Sequence, residues 1–455
     1  MAVLGGMRGL LNGGGVAVRC LRRRGWRTRC AAIACLLTVL GVASPSPSLA
    51  NDAAPPITVG CLYPMTGRAA LYGKDSVAAA QMAIEEINAK GGAAGRRLNL
   101  LFADDQSKPA FATRIARSYV LNDKVDFLCG GVSSTVGLAV SKVSFDYKTI
   151  FIGTDHASSR LIIENFHRYY FRVSNSVYQS MAAGALYLAD LKKKTGWKTI
   201  AFIGPDYEYG HGVWEDLREK MDEIGLDYKV VGEYWPKLYE PDFTPYIAAI
   251  QQAKPDILIN GHWDGDWIAF VRQAKVYNLF DRVLVCNFDT GGSYEVMEAM
   301  GDEMPLGLIL SARHHNNWPR TEANRGFVER FRERTGRYPS YSAHGAYAGM
   351  YAIAAAVNAV GGTDDVDALI HALEGMRLKL PKDPDGFESY IDPGTHQIVQ
   401  VQAIGTVESN ADFPPARAML GSWKVYPAEG LMPSMRILEQ RRKVHVIGDA
   451  HSGRN

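Results

Sequence analysis

The 455-residue sequence lacks the signatures of phosphate binding and of several enzyme classes. The loop TGRAALYGKD departs from the Walker A motif, because Asp75 follows Gly73-Lys74 where Ser or Thr is needed. No GxGxxG follows a predicted strand, and GxSxG, HExxH and kinase signatures are absent. No nucleophile–base pair stands at a strand end, since the neighbours Asp104 and Asp105 leave their strand in opposite directions. The sequence therefore supports neither a nucleotide-binding protein nor an enzyme.

Cysteine is also scarce, with six in the chain and three of these within the first fifty residues. Cys61, Cys129 and Cys286 remain, each in an apolar run typical of a strand. An odd count without CxxC spacing argues against a disulfide framework or a zinc site, so we expect buried free thiols. His156 has no partner at ligand spacing, and no metal or cofactor is predicted.

The first fifty residues contain seven arginines and no acidic residue, then the apolar run AAIACLLTVLGVA and the small-residue stretch SPSPSLA. This order predicts a secretory signal peptide over residues 1–50, cleaved after Ala50, with a retained anchor as the alternative. No later run of about 18 apolar residues follows. Without the seven arginines, 43 basic residues face 48 acidic ones, so no basic field suits nucleic acid.

Strand-like and helix-like segments alternate from residue 56 onward, which predicts an α/β fold of two similar open units with parallel central sheets. A helix over 74–90, for example, places Val77, Ala80, Ile84 and Ile87 on one face. The run LGLILSARHH is interpreted as a strand that returns to the first lobe, and the polar tail is expected to be loosely ordered. The predicted domains are the signal peptide 1–50, a first lobe of 56–175 and 308–375, a second lobe of 176–307 and 376–433, and the tail 434–455.

Ligands of open α/β sheets bind outside the carboxyl ends of the strands. The loops at those ends are 63–73, 131–136, 153–160, 205–211, 261–266 and 287–293. In the second of these loops, Ser133-Ser134-Thr135 ends a strand and opens a helix. Three hydroxyls and free backbone N–H groups at the positive end of a helix dipole suit a carboxylate, although one hydroxyl acting only as a helix cap is the alternative.

Several segments together resemble one family of proteins. They are ITVGCLYPMTGRAALYGKDSVAAAQMAIEEINAKGG, CGGVSSTVGLAV, GPDYEYGHG and IDPGTHQIVQ. These segments are similar to the branched-chain amino-acid-type solute-binding proteins of ABC importers. The resemblance implies a type I periplasmic binding fold, in which two Rossmann-like lobes joined by three crossovers close around a solute. It further implies a monomer in the periplasm that delivers the solute to an ABC permease and its ATPase.

The predicted ligand-binding residues all follow strands of the two lobes: Tyr72, Ser133, Ser134, Thr135, Thr154, Asp155, Tyr207, Tyr209, Trp263 and Asp289. By the resemblance, Ser134 and Thr135 hold the solute's carboxylate, and Tyr209 lies over the ligand. Asp289 either pairs with an α-ammonium or caps the Gly-rich turn. Asp155 stands where the family usually has a small residue. It either binds an additional polar group of the solute or belongs to a solvated loop.

Two departures from the family leave the identity of the solute undetermined. Leucine-type members often have a disulfide near the SST segment, but ADDQSKPAF has no cysteine to pair with Cys129, so we expect no such bond. The extra aromatic residues suit a wide cleft. The leading interpretation is a branched-chain or other hydrophobic amino acid. The alternatives are an aromatic or other organic acid or amide, or a ligand sensor that acts through a partner protein.

Overall fold

A computed structural model of the chain describes residues 55–452, with side chains of the last helix described to Lys443. The predicted signal peptide lies outside these residues. Two sheets dominate the fold, and each is built from βαβ units, as the alternation of segments predicted. Within residues 55–452, no helix combines the length and apolar character needed to cross a membrane.

The first sheet contains five parallel strands in the order β2-β1-β3-β4-β5. Its strands and its own helices are β1 (Ile57–Tyr63), α1 (Ala70–Ala89), β2 (Leu98–Asp104), α2 (Pro109–Leu121), β3 (Phe127–Gly130), α3 (Ser134–Tyr147), β4 (Phe151–Gly153) and β5 (Tyr170–Arg172). The predicted apolar face of α1 is buried against this sheet, which confirms the helical periodicity.

The second sheet has seven strands in the order β15-β14-β10-β9-β8-β6-β7. It is parallel from β10 to β7, and β14 and β15 form an antiparallel edge. Its elements are α4 (Val177–Thr195), β6 (Thr199–Ile203), α5 (Glu208–Glu223), β7 (Lys229–Tyr234), α6 (Thr244–Ala253), β8 (Ile257–Asn260), α7 (Asp264–Val276), β9 (Leu284–Asn287), α8 (Tyr294–Met300), β10 (Ile309–Leu310), β14 (Gln402–Ser409) and β15 (Ala418–Tyr426).

The remaining elements are α9 (Glu322–Thr335), α10 (Tyr341–Val360), α11 (Val366–Leu373), β11 (Arg377–Leu378), β12 (Ser389–Ile391), β13 (Ile398–Val399) and α12 (Met435–Ser452). Helices α9 to α11 share the apolar core of the first sheet, whereas β14 joins the second. The chain therefore crosses between the sheets after β5, after β10 and before β14. Their number matches the three crossovers that the resemblance implied, and the lobe boundaries themselves stay a prediction.

The strand within 306–315 was assigned to the wrong sheet. Ile309 and Leu310 pair with β9 and β14 of the second sheet, and the chain returns to the first core only with α9. Local pattern cannot show this, because any buried strand of this composition suits either sheet. The reassignment places the residues after Leu310 at the centre of the molecule.

Helix α1 begins at Ala70, four residues earlier than predicted, so Tyr72 and Gly73 lie in its first turn instead of the loop before it. A side chain at Gly73 would collide with the carbonyl oxygen of Pro64, since an added Cβ would lie 2.0 Å from it. Glycine is therefore required where the helix starts against the end of β1.

The tail 434–455 was expected to be loosely ordered, but its described part forms a packed helix; residues 453–455 lie outside the described residues. Helix α12 buries Ile437 against the second lobe's core and Leu438 against the first lobe's core. Arg441 donates to Glu164 and to Asp216, with both distances 2.8 Å. The Asp216 carboxylate is fully buried, so its pairing fixes the helix in place. The basic residues that suggested a solvated tail are the ones that anchor it.

The expectation of free thiols at Cys61 and Cys129 is also wrong. The two residues lie opposite each other on β1 and β3, with their Cα atoms 4.3 Å apart, and form a disulfide. The partner of Cys129 therefore comes from the neighbouring strand and not from the segment ADDQSKPAF. Cys286 is a buried free thiol, as predicted.

A thiol count tests this disulfide directly. In residues 51–455, denatured without reductant, we expect one thiol, that of Cys286, to react with a chromogenic thiol reagent, and three to react after reduction. The Cys286→Ser variant should give none before reduction and two after it. Three reactive thiols in the unreduced protein would contradict the bond.

Candidate functional site

Arg313, which follows β10, connects the carboxyl ends of the two sheets. Its Nη1 donates to Asp155 Oδ1 at 2.8 Å and to the Asp155 carbonyl oxygen at 2.7 Å. Its Nη2 donates to Asp289 Oδ2 at 2.6 Å, and Nε donates to Asp289 Oδ1 at 3.3 Å. Asp155 follows β4 of the first sheet and Asp289 follows β9 of the second, so one guanidinium joins both lobes. All three side chains are at most 6% exposed.

Asp289 is saturated with hydrogen bonds. Besides Arg313, Ser180 Oγ donates to Oδ1 at 2.7 Å and the Tyr209 hydroxyl donates to Oδ2 at 2.8 Å. Burial alone would raise the pKa of Asp289, but the charge of Arg313 and these hydrogen bonds hold the pKa below its usual value. Neither oxygen is left for a further donor unless one of these partners moves.

Asp155 differs, because only one of its oxygens is engaged. Oδ1 accepts from Arg313, whereas Oδ2 is buried and has no partner among the described residues. Burial raises the pKa of Asp155 to about 7, against the opposing charge of Arg313. Leaving a buried carboxylate oxygen unbonded is unfavourable. This oxygen is therefore the one acceptor of the Arg313–Asp155–Asp289 cluster that is left without a donor among the described residues.

The start of α3 carries the hydroxyls that suit a carboxylate. Ser133 is the N-cap residue but makes no side-chain capping bond, so the simple capping alternative is not what the structure has. The Ser133 and Thr135 hydroxyls lie 3.0 Å apart, and Ser134 Oγ accepts from the backbone N–H of Ser158 at 3.2 Å. The helix start thus presents hydroxyls where its dipole favours negative charge.

Aromatic rings surround these polar groups. A small cavity of about 20 Å³ is lined by Val132, Ser134, Ala157, Tyr207, Tyr209, Trp263, Arg313 and Tyr341. This volume holds about one water molecule, and the bonds of Arg313 to Asp155 and Asp289 hold the two lobes together in this conformation. Trp263 Nε1 donates to the Tyr207 hydroxyl at 2.9 Å. The guanidinium of Arg313 lies 5.1 Å from the centre of the Tyr341 ring and 5.8 Å from that of Tyr209.

A second cavity of about 290 Å³ continues outward from the first, sharing Val132, Tyr207 and Trp263 and adding Ser133 and Thr135. A larger one, of about 460 Å³, lies near Asp256, at the opposite ends of the second sheet's strands. We assign function to the first two cavities, because ligands of open α/β sheets bind at the carboxyl ends.

Four predicted site residues do not line these cavities: Asp155 and Asp289, which contact the cavity residue Arg313, and Thr154 and Tyr72, which do not. The Thr154 hydroxyl is fully buried and lies 3.0 Å from that of Tyr63. Tyr72 is fully buried behind the cavity wall, with its ring centre 5.0 Å from that of Tyr341 and 6.0 Å from that of Trp263. Among the described residues, no group of three or more His, Cys, Asp or Glu side chains could hold a metal ion.

Sequence reasoning missed Arg313 and Tyr341. Arg313 was interpreted as part of a strand, although a charged residue directly after an apolar run is itself a signal of a strand end. Tyr341 lies at the start of α10, which belongs to the first core but had not been included among the site loops. Both residues follow the second crossover, whose position was misplaced.

The cluster can be tested through stability. Arg313→Met leaves the buried Asp289 carboxylate without its charge partner, so we expect the free energy of unfolding in urea to fall by about 3–5 kcal/mol. Arg160→Met is the control. That arginine is 54% exposed and pairs with Glu208, so its loss should cost at most about 1 kcal/mol. Equal, small losses in both variants would contradict the role of Arg313.

Known proteins agree with this architecture. Residues 56–412 match the family model described as periplasmic binding protein. The chain is 25% identical over 352 residues to Leu/Ile/Val-binding protein homolog 2 of Brucella abortus, which spans 76% of this chain and 90% of the relative. It is also 25% identical over 336 residues to the leucine-, isoleucine-, valine-, threonine- and alanine-binding protein of Pseudomonas aeruginosa, spanning 74% and 87%.

Among solved structures, a solute-binding protein of an ABC transporter from Rhodopseudomonas palustris, in complex with 3,4-dihydroxy benzoic acid, is 26% identical. It superposes with a TM-score of 0.73 over 82% of this chain and 97% of the other. The amino acid ABC transporter substrate-binding protein of Pseudomonas fluorescens, at 22% identity and a TM-score of 0.74, shares the fold. The chain therefore belongs to the periplasmic binding protein family, as a leucine/isoleucine/valine-binding-protein-like solute-binding component of an ABC transporter with a type I fold.

Proposed function

We propose that the protein captures a zwitterionic amino acid with a hydrophobic side chain in the periplasm and delivers it to an ABC permease and its ATPase. The observation that carries this proposal is the unpaired Oδ2 of Asp155, held next to Arg313. Arg313 lines the same cavity as Ser134, at the start of α3. An acceptor for an ammonium and a receptor for a carboxylate are thus served by one cleft.

The charges of the cleft favour a zwitterion over a simple anion. Asp155 and Asp289 share the one guanidinium of Arg313, so an anion without an ammonium would bring a third negative group to this hydrogen-bonded cluster. In the proposed complex, Ser134 and Thr135 bind the carboxylate and Asp155 Oδ2 accepts from the ammonium. Asp289 does not contact the ammonium in this complex, because Arg313 and its other donors occupy its oxygens. Asp155 takes the role of ammonium partner that the sequence suggested for Asp289.

The aromatic rings supply the hydrophobic part of the site. Tyr207, Tyr209 and Trp263 come from the second lobe and Tyr341 from the first, so a side chain between them contacts both. A ligand that contacts both lobes binds the closed state better than the open one and shifts the equilibrium toward closure. Closure without chemistry is what delivery to a permease requires, and the predicted signal peptide supports the periplasmic location.

An aromatic acid without an amine is the second candidate. It is favoured by the saturation of Asp289 and by the four rings of the cavity. The Rhodopseudomonas palustris relative in complex with 3,4-dihydroxy benzoic acid points the same way. Such an acid would use the same start of α3, with Asp155 protonated, as the raised pKa of this carboxyl allows.

Matched ligand pairs separate the two candidates. We expect isothermal titration calorimetry to give a Kd about 10- to 100-fold lower for L-leucine than for 4-methylpentanoate, and for L-phenylalanine than for 3-phenylpropanoate. The difference arises because only the amino acids offer Asp155 an ammonium. Asp155→Asn should remove most of this difference in Kd. Asp302→Asn is the control and should leave the difference unchanged, because the Asp302 carboxylate is 91% exposed. Equal or tighter binding of the deaminated acids would replace the proposal with the aromatic or organic acid.

A further inference from the structure

The groups proposed to bind the solute's carboxylate include no free cation. Arg313 lines the inner cavity, of about 20 Å³, but the hydrogen bonds of its guanidinium all go to Asp155 and Asp289. Ser134 and Thr135 offer uncharged hydroxyls. A hydrogen bond to a carboxylate is roughly twice as strong when its donor is also charged. A positively charged group just outside the inner cavity would therefore complete the receptor.

Arg68 is a cation in the wall of the outer cavity, of about 290 Å³, which Ser133 and Thr135 also line. It lies in the loop after β1, two residues before α1 begins, and it is exposed. Arg68 forms neither a hydrogen bond nor a salt bridge with any residue that the structure describes. The five N–H groups of its guanidinium thus have no partner in the described part of the protein.

An aromatic ring of the second lobe holds this guanidinium in place. The guanidinium of Arg68 lies over the ring of Tyr239, 4.5 Å from its centre. Tyr239 follows β7, and its backbone N–H donates to Asp266 Oδ2 at 2.7 Å, which fixes the residue that carries the ring. A guanidinium that lies with its face on a ring keeps the N–H groups at its edge free for a carboxylate. Because Arg68 comes from the first lobe, this contact joins the two lobes.

Two carboxyls of α7 lie near Arg68 without pairing with it. Burial raises the pKa of Asp264 and raises that of Asp266 to about 6, and the charge of Arg68 opposes both shifts. One oxygen of Asp266 already accepts from Tyr239. Neither carboxyl forms a salt bridge with Arg68 in the described part of the chain. The guanidinium is therefore held beside the outer cavity and still lacks a carboxylate partner.

We propose that Arg68 binds the solute's α-carboxylate together with Ser134 and Thr135, where the inner and outer cavities meet. Arg68 then determines specificity, since it favours solutes with an anionic end over the corresponding amides. Its contact with Tyr239 couples carboxylate binding to closure. The inference deepens the proposed function and rests on it for the position of the carboxylate. The hydrophobic side chain and the pairing of the ammonium with Asp155 stay as proposed.

L-leucine and L-leucinamide test this role, because they differ in the charge of the carboxyl end and share the ammonium and the side chain. In residues 51–455, we expect calorimetry to give a Kd about 10- to 100-fold lower for L-leucine. In Arg68→Met this ratio should fall about 10-fold, since methionine keeps an apolar stem and loses the charge. Arg114→Met is the matched control and should keep the native ratio. The guanidinium of Arg114 also lies over a ring, 5.0 Å from the centre of Phe111, but lines neither cavity.

The outcomes separate this inference from the proposed function. A native ratio in Arg68→Met, with both ligands weakened alike or with neither weakened, would overturn the inference and leave the proposed function standing. Arg68 would then only close the entrance. Native protein that binds L-leucinamide as tightly as L-leucine would contradict the carboxylate receptor itself, and with it the proposed function. Arg68→Lys keeps the charge without the planar fork, so it should recover only part of the native ratio.

Ionic strength gives a readout that a purely structural role of Arg68 would not change. An ion pair at an exposed side chain is screened by salt. Raising NaCl from about 0.02 M to about 0.5 M should therefore raise the Kd of L-leucine about 3-fold in the native protein. The increase should be smaller in Arg68→Met. The same salt dependence in both proteins would count against Arg68 as the partner of the carboxylate.

Discussion

The pairing of Arg313 with two buried carboxylates is the constraint on which the centre of this protein depends. A buried charge must be paired and hydrogen-bonded, and here one guanidinium serves an aspartate from each lobe. The planar fork of arginine allows two separate carboxylates to be bound at once, which a lysine ammonium could not do with the same geometry. Three strand ends, from β4, β9 and β10, are fixed relative to one another by this single side chain.

That pairing also decides which groups remain for a ligand. Because Arg313, Ser180 and Tyr209 saturate Asp289, the free acceptor lies on Asp155, on the other lobe. A ligand held between the start of α3 and Asp155 would be bound mainly by polar groups of the first lobe. The second lobe would add aromatic surface from Tyr207, Tyr209 and Trp263. Such a division suits a hinged receptor, in which one lobe orients the solute and the other closes over it.

The sequence was informative where periodicity and local chemistry decide the structure. The buried face of α1 and the start of α3 at Ser134 follow from spacing and from residue type, and both are present as predicted. The βαβ alternation was enough to predict two parallel sheets. These features depend on neighbours within a few residues, which is the range that a single sequence can report.

The features that were missed all depend on contacts between distant segments. Arg313 and Asp155 are 158 residues apart, Arg441 and Asp216 are 225 apart, and the two cysteines of the disulfide are 68 apart. Strand β10 has only two residues, too few for a pattern to assign it to one sheet. These misses share a cause, since which segments lie beside one another is a property of the fold and not of any local stretch.

The most direct test of the account is a crystal structure of residues 51–455 grown with L-leucine. The account predicts that Arg313 stays bonded to Asp289 and Asp155, with the ligand's ammonium within hydrogen-bond distance of Asp155 Oδ2 and its carboxylate at Ser134 and Thr135. A structure in which Arg313 has left Asp289 to bind the ligand's carboxylate itself would contradict the central claim. In that case Arg313 would be a ligand-binding group and not the fixed link between the lobes.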